Sequence, residues 1–505
     1  MTLKPNQDII PTSPRHDRRP DIRRSHGPTT TLASLSDSQA TFLLSDLFAA
    51  LSHALDVSEG HDQEHALRTC VIGMRIGERL GLTPSNRADL FYALLLKDLG
   101  ASSSAAHLNQ IFGRDDDELR RALRHVDFGR LDEGARFMLS HLGSSVGLSR
   151  RLRYLFDIGL GRFPGSSTLV KPRSERGAQF ALDMGLSSAV ATAILNASEH
   201  YDGSGGPRGL SGDSIPLLAR IVALAQAAEQ TRNDEGSDGV ARLLASRAGS
   251  WFDPTVATAL SELLERPSFW NDLDRDSVWH AITEVAPLEE PLDIDDERLD
   301  IIAEVFAKVI DAKSPWTHRH SIRVRDIAIG MLCQLPDGAC ESQDRRRALR
   351  RGALLHDIGT LGISNAVIDK SGGLTLKERE SLRLHTAYSE HILSWTGPFK
   401  ETVALAAGHH ERLDGHGYHG AIPASLLDFD TRLLAVADQF EALTAARPHR
   451  DRFDPETALS VLASDAGSGI DPAALAALER YLSSPAASGI LAPPQFDPEQ
   501  LVVIA

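Results

Sequence analysis

The chain has 505 residues, 42% hydrophobic and 24% charged, with a net charge of −16. That length exceeds one ordinary core and calls for two or more domains. The acidic balance excludes a broad surface for a nucleic-acid polymer, although a local arginine pair can still hold a small anionic ligand. Its three cysteines, Cys70, Cys333 and Cys340, are scattered and odd in number. They argue against a disulfide framework and fit a reducing cytoplasm, and without a CxxC pair any metal site must use His and carboxylate donors.

Residues 1–37 are rich in Pro, Arg, Ser and Thr and read as a disordered tail. From about residue 40 the texture is helical. Leu43, Leu44, Leu47, Leu51 and Leu55 recur at spacings of three and four and mark one helix face. Segments 323–334, 350–356 and 431–446 behave alike, alternating β-branched runs are rare, and the expected fold class is all-α. No apolar run reaches the roughly 18 residues of a spanning helix, so no membrane span is expected.

The chain repeats itself. His65-Ala-Leu-Arg matches His320-Ser-Ile-Arg, and Lys97-Asp-Leu-Gly matches His356-Asp-Ile-Gly. Glu199-His-Tyr-Asp-Gly matches Glu411-Arg-Leu-Asp-Gly, and Arg220 matches Arg432. His125 is taken as the partner of His385. This order implies a tandem duplication. The expected layout is a first copy over 38–283 with an insert near 135–180, an acidic linker over 284–298, a second copy over 299–482 and a tail over 483–505.

In the second copy His320, His356, Asp357, His385, His409, His410 and Asp438 stand out as candidate metal ligands. Imidazole with carboxylate suits first-row divalent metals, and a carboxylate such as Asp357 can bridge two ions. Paired metals hydrolyse phosphate esters by activating water and stabilising charge.

Residues 318–450 resemble the HD-GYP branch of the HD-domain phosphohydrolases. The resemblance is carried by His320-Ser-Ile-Arg-Val, Leu354-Leu-His-Asp-Ile-Gly, His409-His-Glu-Arg-Leu-Asp-Gly-His-Gly-Tyr, Arg432-Leu-Leu-Ala-Val-Ala-Asp and Ala442-Leu-Thr-Ala-Ala-Arg-Pro. It implies two tandem helical domains of that type and a bi- or trinuclear metal centre. It also implies hydrolysis of cyclic di-GMP, to the linear dinucleotide or GMP, by a metal-activated hydroxide. By position it gives the seven residues as ligands to Fe, Mn, Ni or Zn. Asp357 and Glu441 fall at catalytic positions, and Arg447, Arg450, Tyr418, Gly415 and Gly417 fall beside substrate.

Three positions depart from the family pattern. Thr360 stands where the family has Lys, His419 where it has Pro, and Trp316 where trinuclear members carry a Glu. The last implies two metal ions, with His318 directed away along a helix. The alternatives are a phosphohydrolase for another nucleotide and a weakly active cyclic-dinucleotide receptor or scaffold.

The first copy lacks most donors: Lys97, Ala197, Ser198 and Gln226 replace His, the His pair and Asp, leaving His65, Asp98 and His125. It is expected to be a degenerate copy, acting as a sensor for a signalling partner or as a scaffold, packed as an intramolecular dimer; a homodimer is a further expectation.

Overall fold

A computed structural model describes residues 44–102 except 63, 170–287 except 267 and 274–277, 295–336, 338–418, 422–491 and a few isolated positions between 103 and 169. The N-terminal tail, His125, His419 and the middle of the acidic stretch lie outside the described residues.

The described chain is all-α, with no strand beyond isolated bridges. The first half runs α1 (Leu44–Glu59), α2 (His65–Arg79), α3 (Pro84–Leu96), α4 (Lys171–Asp183), α5 (Ser188–Leu195), α6 (Leu217–Arg247), α7 (Pro254–Leu264) and α8 (Val278–Val285). The second half runs α9 (Asp296–Asp311), α10 (His320–Leu332), α11 (Gln343–Leu355), the short α12 (Asn365–Ile368), α13 (Leu376–Ser394), α14 (Val403–Gly408), α15 (Phe429–Thr444), α16 (Pro455–Ser464), α17 (Pro472–Leu482) and α18 (Ser488–Leu491). No described helix is long and apolar enough to cross a membrane.

Local chemistry sets these boundaries. Thr83, Asp253, Asp454 and Asp471 cap their helices with side-chain oxygens, each followed by a Pro at the first helical position. That pairing satisfies an orphan N–H and places a residue without one where none is needed. A capping box of Thr375 and Glu378 starts α13.

The repeat is visible in the bonding as well as the sequence. Asp56 accepts from the N–H of Ala66 as Asp311 does from that of Ser321. Arg68 Nε donates to Glu229 as Arg323 Nε donates to Glu441. Arg220 pairs with Asp253 as Arg432 pairs with Asp471. Gly100 and Gly359 are both tight: a Cβ on Gly100 would lie 1.9 Å from the Arg173 carbonyl oxygen, and one on Gly359 would lie 2.0 Å from that of His385. Only glycine lets the helix behind approach so closely.

This contact corrects the sequence alignment. Arg173, rather than His125, occupies the register of His385, and α4 is the counterpart of α13. The extra residues of the first half therefore end before α4, short of the expected 180, and the rest of the expected insert lies largely outside the described residues. The insertion disrupts the spacing between Asp98 and its partner, so that interval alone does not lead to Arg173.

The two halves pack on each other through equivalent surfaces. His53 of α1 stacks on Trp395 at 5.6 Å, and in the matching place Lys308 of α9 pairs with Asp183 at 3.2 Å. Val57 of α1 packs against Gly362, and Ser102 bonds the carbonyl of Val309. One hydrophobic cluster runs from Leu44 through α9 to Ile358, Leu393 and Ala406, and a second, from Val324 to Ala487, lies within the second half. Residues 41–505 form one compact unit. The packing has the isologous pattern of a twofold dimer, built within one chain.

The structure also joins Cys333 and Cys340, whose Cα atoms are 4.7 Å apart, against the sequence expectation. Gly338 at φ +70° and the turn Ala339–Glu341 fold the chain back on the end of α10 and bring the pair together. Cys70 is buried and free.

Candidate metal centre

Five elements converge on the second-half site. His320 opens α10, His356 and Asp357 follow α11, His385 lies in α13, His409 and His410 follow α14, and Asp438 is in α15. All seven predicted ligands meet there, and His356 and His409 are fully buried.

Asp357 organises the site. Its Oδ2 lies 3.6 Å from both His320 Nε2 and His356 Nε2, and its Oδ1 lies 3.3 Å from His385 Nε2 and 3.7 Å from His409 Nε2. Asp438 Oδ1 completes the first group, 3.3 Å from His320 Nε2 and 3.8 Å from His356 Nε2. His410 Nδ1 faces the other Asp438 oxygen at 3.8 Å. Donor atoms of His320, His356 and Asp438 lie within 4.8 Å of one another, as do those of His385, His409 and His410. Such spacings suit ligands arranged about an ion with bonds of about 2.0–2.2 Å.

The imidazole tautomers are prepared for metal. Nδ1–H of His356, His385 and His409 donates to the carbonyl oxygens of Ala353, Leu382 and Ala406 at 2.7–2.8 Å. This leaves Nε2 with its lone pair toward the centre. His356 Nε2 is buried without a hydrogen-bond partner, an arrangement costly in protein alone. Burial, reinforced by neighbouring imidazoles, holds His409 well below the usual histidine range and His410 at about 3, so both stay neutral donors. Burial opposes the charge on His320, but Glu441 and Asp438 outweigh it and push that imidazole well up. Burial likewise raises Asp438, but His320 and His410 reverse this and hold it well below the carboxylate range.

Other expected site residues take more specific places. Glu441 is 2% exposed, with its carboxylate on His320 Nδ1 at 2.5 Å, Arg323 Nε at 3.2 Å and Arg447 Nη2 at 3.4 Å. It is built to orient His320 and is not open to substrate. Arg447 also reaches the Trp316 carbonyl at 3.5 Å. The guanidinium of Arg450 is spent on the carbonyls of Ala442, Leu443 and Asp451, so it shapes the loop after α15. Tyr418 packs on His410 at 4.3 Å, with the Arg383 guanidinium 5.1 Å from its ring centre. Gly415 is required by its φ of +73°, and a Cβ on Gly417 would lie 2.6 Å from the Glu411 Cα. Both glycines form the loop that delivers Tyr418. Thr360 donates its hydroxyl to the Asp357 carbonyl and supplies no charge. Trp316 and His318 precede α10 in a 3-10 turn and its exit, so His318 is exposed and not turned away along a helix.

In the first half the same framework carries different atoms. Lys97 Nζ bonds Asp98 Oδ2, and Arg173 bonds Asp98 Oδ1. These are the counterparts of His356 and His385 on the two oxygens of Asp357. Burial disfavours the Asp98 charge, but Lys97 and Arg173 outweigh it and hold the carboxyl far below its usual range. His65 keeps its orienting carboxylate, Glu229, which sequence reasoning passed over although it follows Gln226 as Glu441 follows Asp438. His61, His65 and Asp98 still cluster within 4.8 Å, but Asp98 is already neutralised. The arginine loop is missing as well: α6 runs from Leu217 to Arg247 with only a kink at Gly236 where the second half breaks between α15 and α16.

Comparisons with known proteins agree with this architecture. The HD domain family matches residues 163–256 and 304–474. The chain is 37% identical over 449 residues to the 3'3'-cGAMP-specific phosphodiesterase 3 of Vibrio cholerae, covering 89% of this chain and 96% of that one. It is 35% identical over 141 residues to the cyclic di-GMP phosphodiesterase response regulator RpfG of Xanthomonas campestris, covering 28% of this chain and 37% of that one. Among solved structures, a cyclic GMP-AMP-specific phosphodiesterase of V. cholerae matches with a TM-score of 0.59 and 34% identity, over 87% of this chain and 97% of that chain. With its helical core, its His and Asp centre and these matches, the chain belongs to the HD-domain family, in the HD-GYP branch that residues 318–450 resembled.

Proposed function

We propose that the second half, residues 299–482, is a metal-dependent phosphodiesterase acting on a cyclic dinucleotide, and that the first half is its metal-free structural partner. The observation that carries the reading is Asp357, whose two oxygens face two separate sets of histidine donors. One carboxylate between two donor groups supports a pair of ions. Bound there, divalent ions supply an activated water and neutralise charge on the phosphate and the leaving oxygen. The nitrogen-rich set suits Mn, Fe, Ni or Zn.

The chain's own residues do the rest. Glu441 fixes the ring of His320, and the Ala353, Leu382 and Ala406 carbonyls fix the other imidazoles. Tyr418 closes one side of the centre against His410. Arg447 places a partly exposed cation beside Glu441, where a phosphate oxygen or a base edge can reach it.

The family resemblance pointed first to cyclic di-GMP. The similarity to a 3'3'-cGAMP-specific enzyme extends over both halves, whereas that to RpfG covers 28% of the chain, so we place 3'3'-cGAMP ahead of cyclic di-GMP as substrate. The acidic charge, with no described helix long and apolar enough to cross a membrane, suits a cytoplasmic enzyme. The internal twofold packing supplies in one chain the interface that a homodimer would otherwise provide. The test is turnover of 3'3'-cGAMP and cyclic di-GMP by the full chain loaded with Mn or Fe. Hydrolysis that disappears in Asp357→Ala supports the reading; failure to cleave either dinucleotide rejects it.

A further inference from the structure

Trp316 is 41% exposed in the turn Pro315–Thr317, immediately ahead of the first metal-ligand position. Single exposed apolar side chains are common, so the position of this ring ahead of His320, rather than its exposure, is what bears on function. Nothing in the hydrolytic chemistry uses this one.

The internal repeat shows which way the register faces. The first-half residue at the same place is His61, whose ring stacks on His65 at 3.7 Å and whose donor atom lies within 4.8 Å of those of His65 and Asp98. His61 also lines a small cavity with Arg68 and Glu229. The two turns are built alike. Asp56 and Asp311 hold the N–H groups of Ala66 and Ser321, and Glu64 and Arg319 both take a left-handed conformation, at φ 67° and 59°, before the helix begins. In the first half the side chain at this register faces the cluster of His65 and Asp98, and Trp316 holds the matching register beside the second-half centre.

The Trp316 carbonyl also receives Arg447 at 3.5 Å, and Arg447 bonds Glu441, which holds His320. Among the described residues no other aromatic ring packs against the indole. The other aromatic at the site, Tyr418, has its ring occupied by His410 at 4.3 Å and Arg383 at 5.1 Å. Among the described residues this leaves the indole of Trp316 as an aromatic face next to the centre in the chain with no ring or guanidinium stacked on it.

We propose that Trp316 is a stacking platform for one purine of the substrate, with Arg447 beside it reading phosphate or base edge. This rests on the cyclic-dinucleotide reading above: such a substrate carries a flat base next to each phosphate, so a phosphate at the metal centre puts a purine at the rim. Base–aromatic stacking contributes about 1–3 kcal/mol per base, or roughly 5- to 150-fold in affinity. An indole accepts guanine or adenine, so the platform strengthens binding without choosing between the two.

The test is steady-state kinetics of the metal-loaded full chain with 3'3'-cGAMP and cyclic di-GMP, alongside metal content. Trp316→Ala is expected to raise KM by roughly 5- to 150-fold for the dinucleotide that is turned over, with kcat within about threefold and bound metal unchanged. Trp316→Phe keeps most of the affinity, and Trp316→Leu, apolar but not planar, does not. An unchanged KM in Trp316→Ala with full activity overturns the platform and leaves the phosphodiesterase reading standing. Loss of metal in Trp316→Ala and Trp316→Phe alike overturns it in favour of a structural role. If the wild-type chain cleaves neither dinucleotide, the functional reading fails and the platform fails with it.

Discussion

Asp98 and Asp357 are the same residue in two copies of one framework, and each has nitrogen groups of other residues on both oxygens. Around Asp357 the neighbours are imidazoles, which leave room for ions to bring the charge. Around Asp98 the chain brings the charge itself, as the Lys97 ammonium and the Arg173 guanidinium. A buried carboxylate must be compensated either way. Under the proposed function, the first half has fixed charges where the second takes exchangeable ions, and keeps the fold without the chemistry.

The largest effect expected from this comparison is at Asp357. Asp357→Ala removes the shared ligand, so dinucleotide hydrolysis falls to background and bound metal is lost, while circular dichroism keeps its helical signature. The first half should respond in the opposite sense. Lys97→Met leaves Asp98, 2% exposed, with half its compensation. Breaking a buried pair by removing one partner costs about 3–5 kcal/mol, which urea unfolding would register, while metal content stays as in the wild type. Metal lost from this variant in its folded state would show that the first half holds an ion.

A smaller effect is expected at Glu441. Glu441→Gln leaves His320 less well oriented and should weaken metal affinity about 10- to 100-fold in chelator competition. The equivalent Glu229→Gln should leave metal affinity untouched. The smallest effect concerns pH. Burial, the leading cause, pushes Asp56 up to about 8 and Asp311 up to about 7. Carboxyls raised in the fold bind protons more tightly there than in the unfolded chain. Their contribution is fully present below about pH 4 and is lost as pH rises through the folded-state values. The double variant Asp56→Asn, Asp311→Asn should flatten that slope in denaturation measured between the two limits.

Most of the residues that converge on the candidate centre were legible in the sequence because they sit in short motifs that survive separation: His356-Asp357-Ile-Gly, His409-His410, and Asp438 in an apolar helix. Their convergence needed only the helical framework that the leucine spacing already indicated. Arg173 was not legible by motif, since its type differs from His385 and an insertion intervenes. The remaining signal was spacing, because Arg173 precedes Glu199 by as many residues as His385 precedes Glu411. The partners of Glu441 and Arg450, His320 for one and the Ala442 and Leu443 carbonyls for the other, were not legible, because they depend on where α15 ends and how His320 turns. Nor does a short cysteine spacing reveal the turn that joins Cys333 to Cys340.

The central claim is that both ions of this chain lie in the second half. Anomalous X-ray diffraction from crystals of the Mn-loaded full chain tests it most directly. Two peaks are expected flanking the Asp357 carboxylate, one toward His320 and His356 and one toward His385 and His409, and none in the first half. A peak among His61, His65 and Asp98, or a single peak at Asp357, would contradict it.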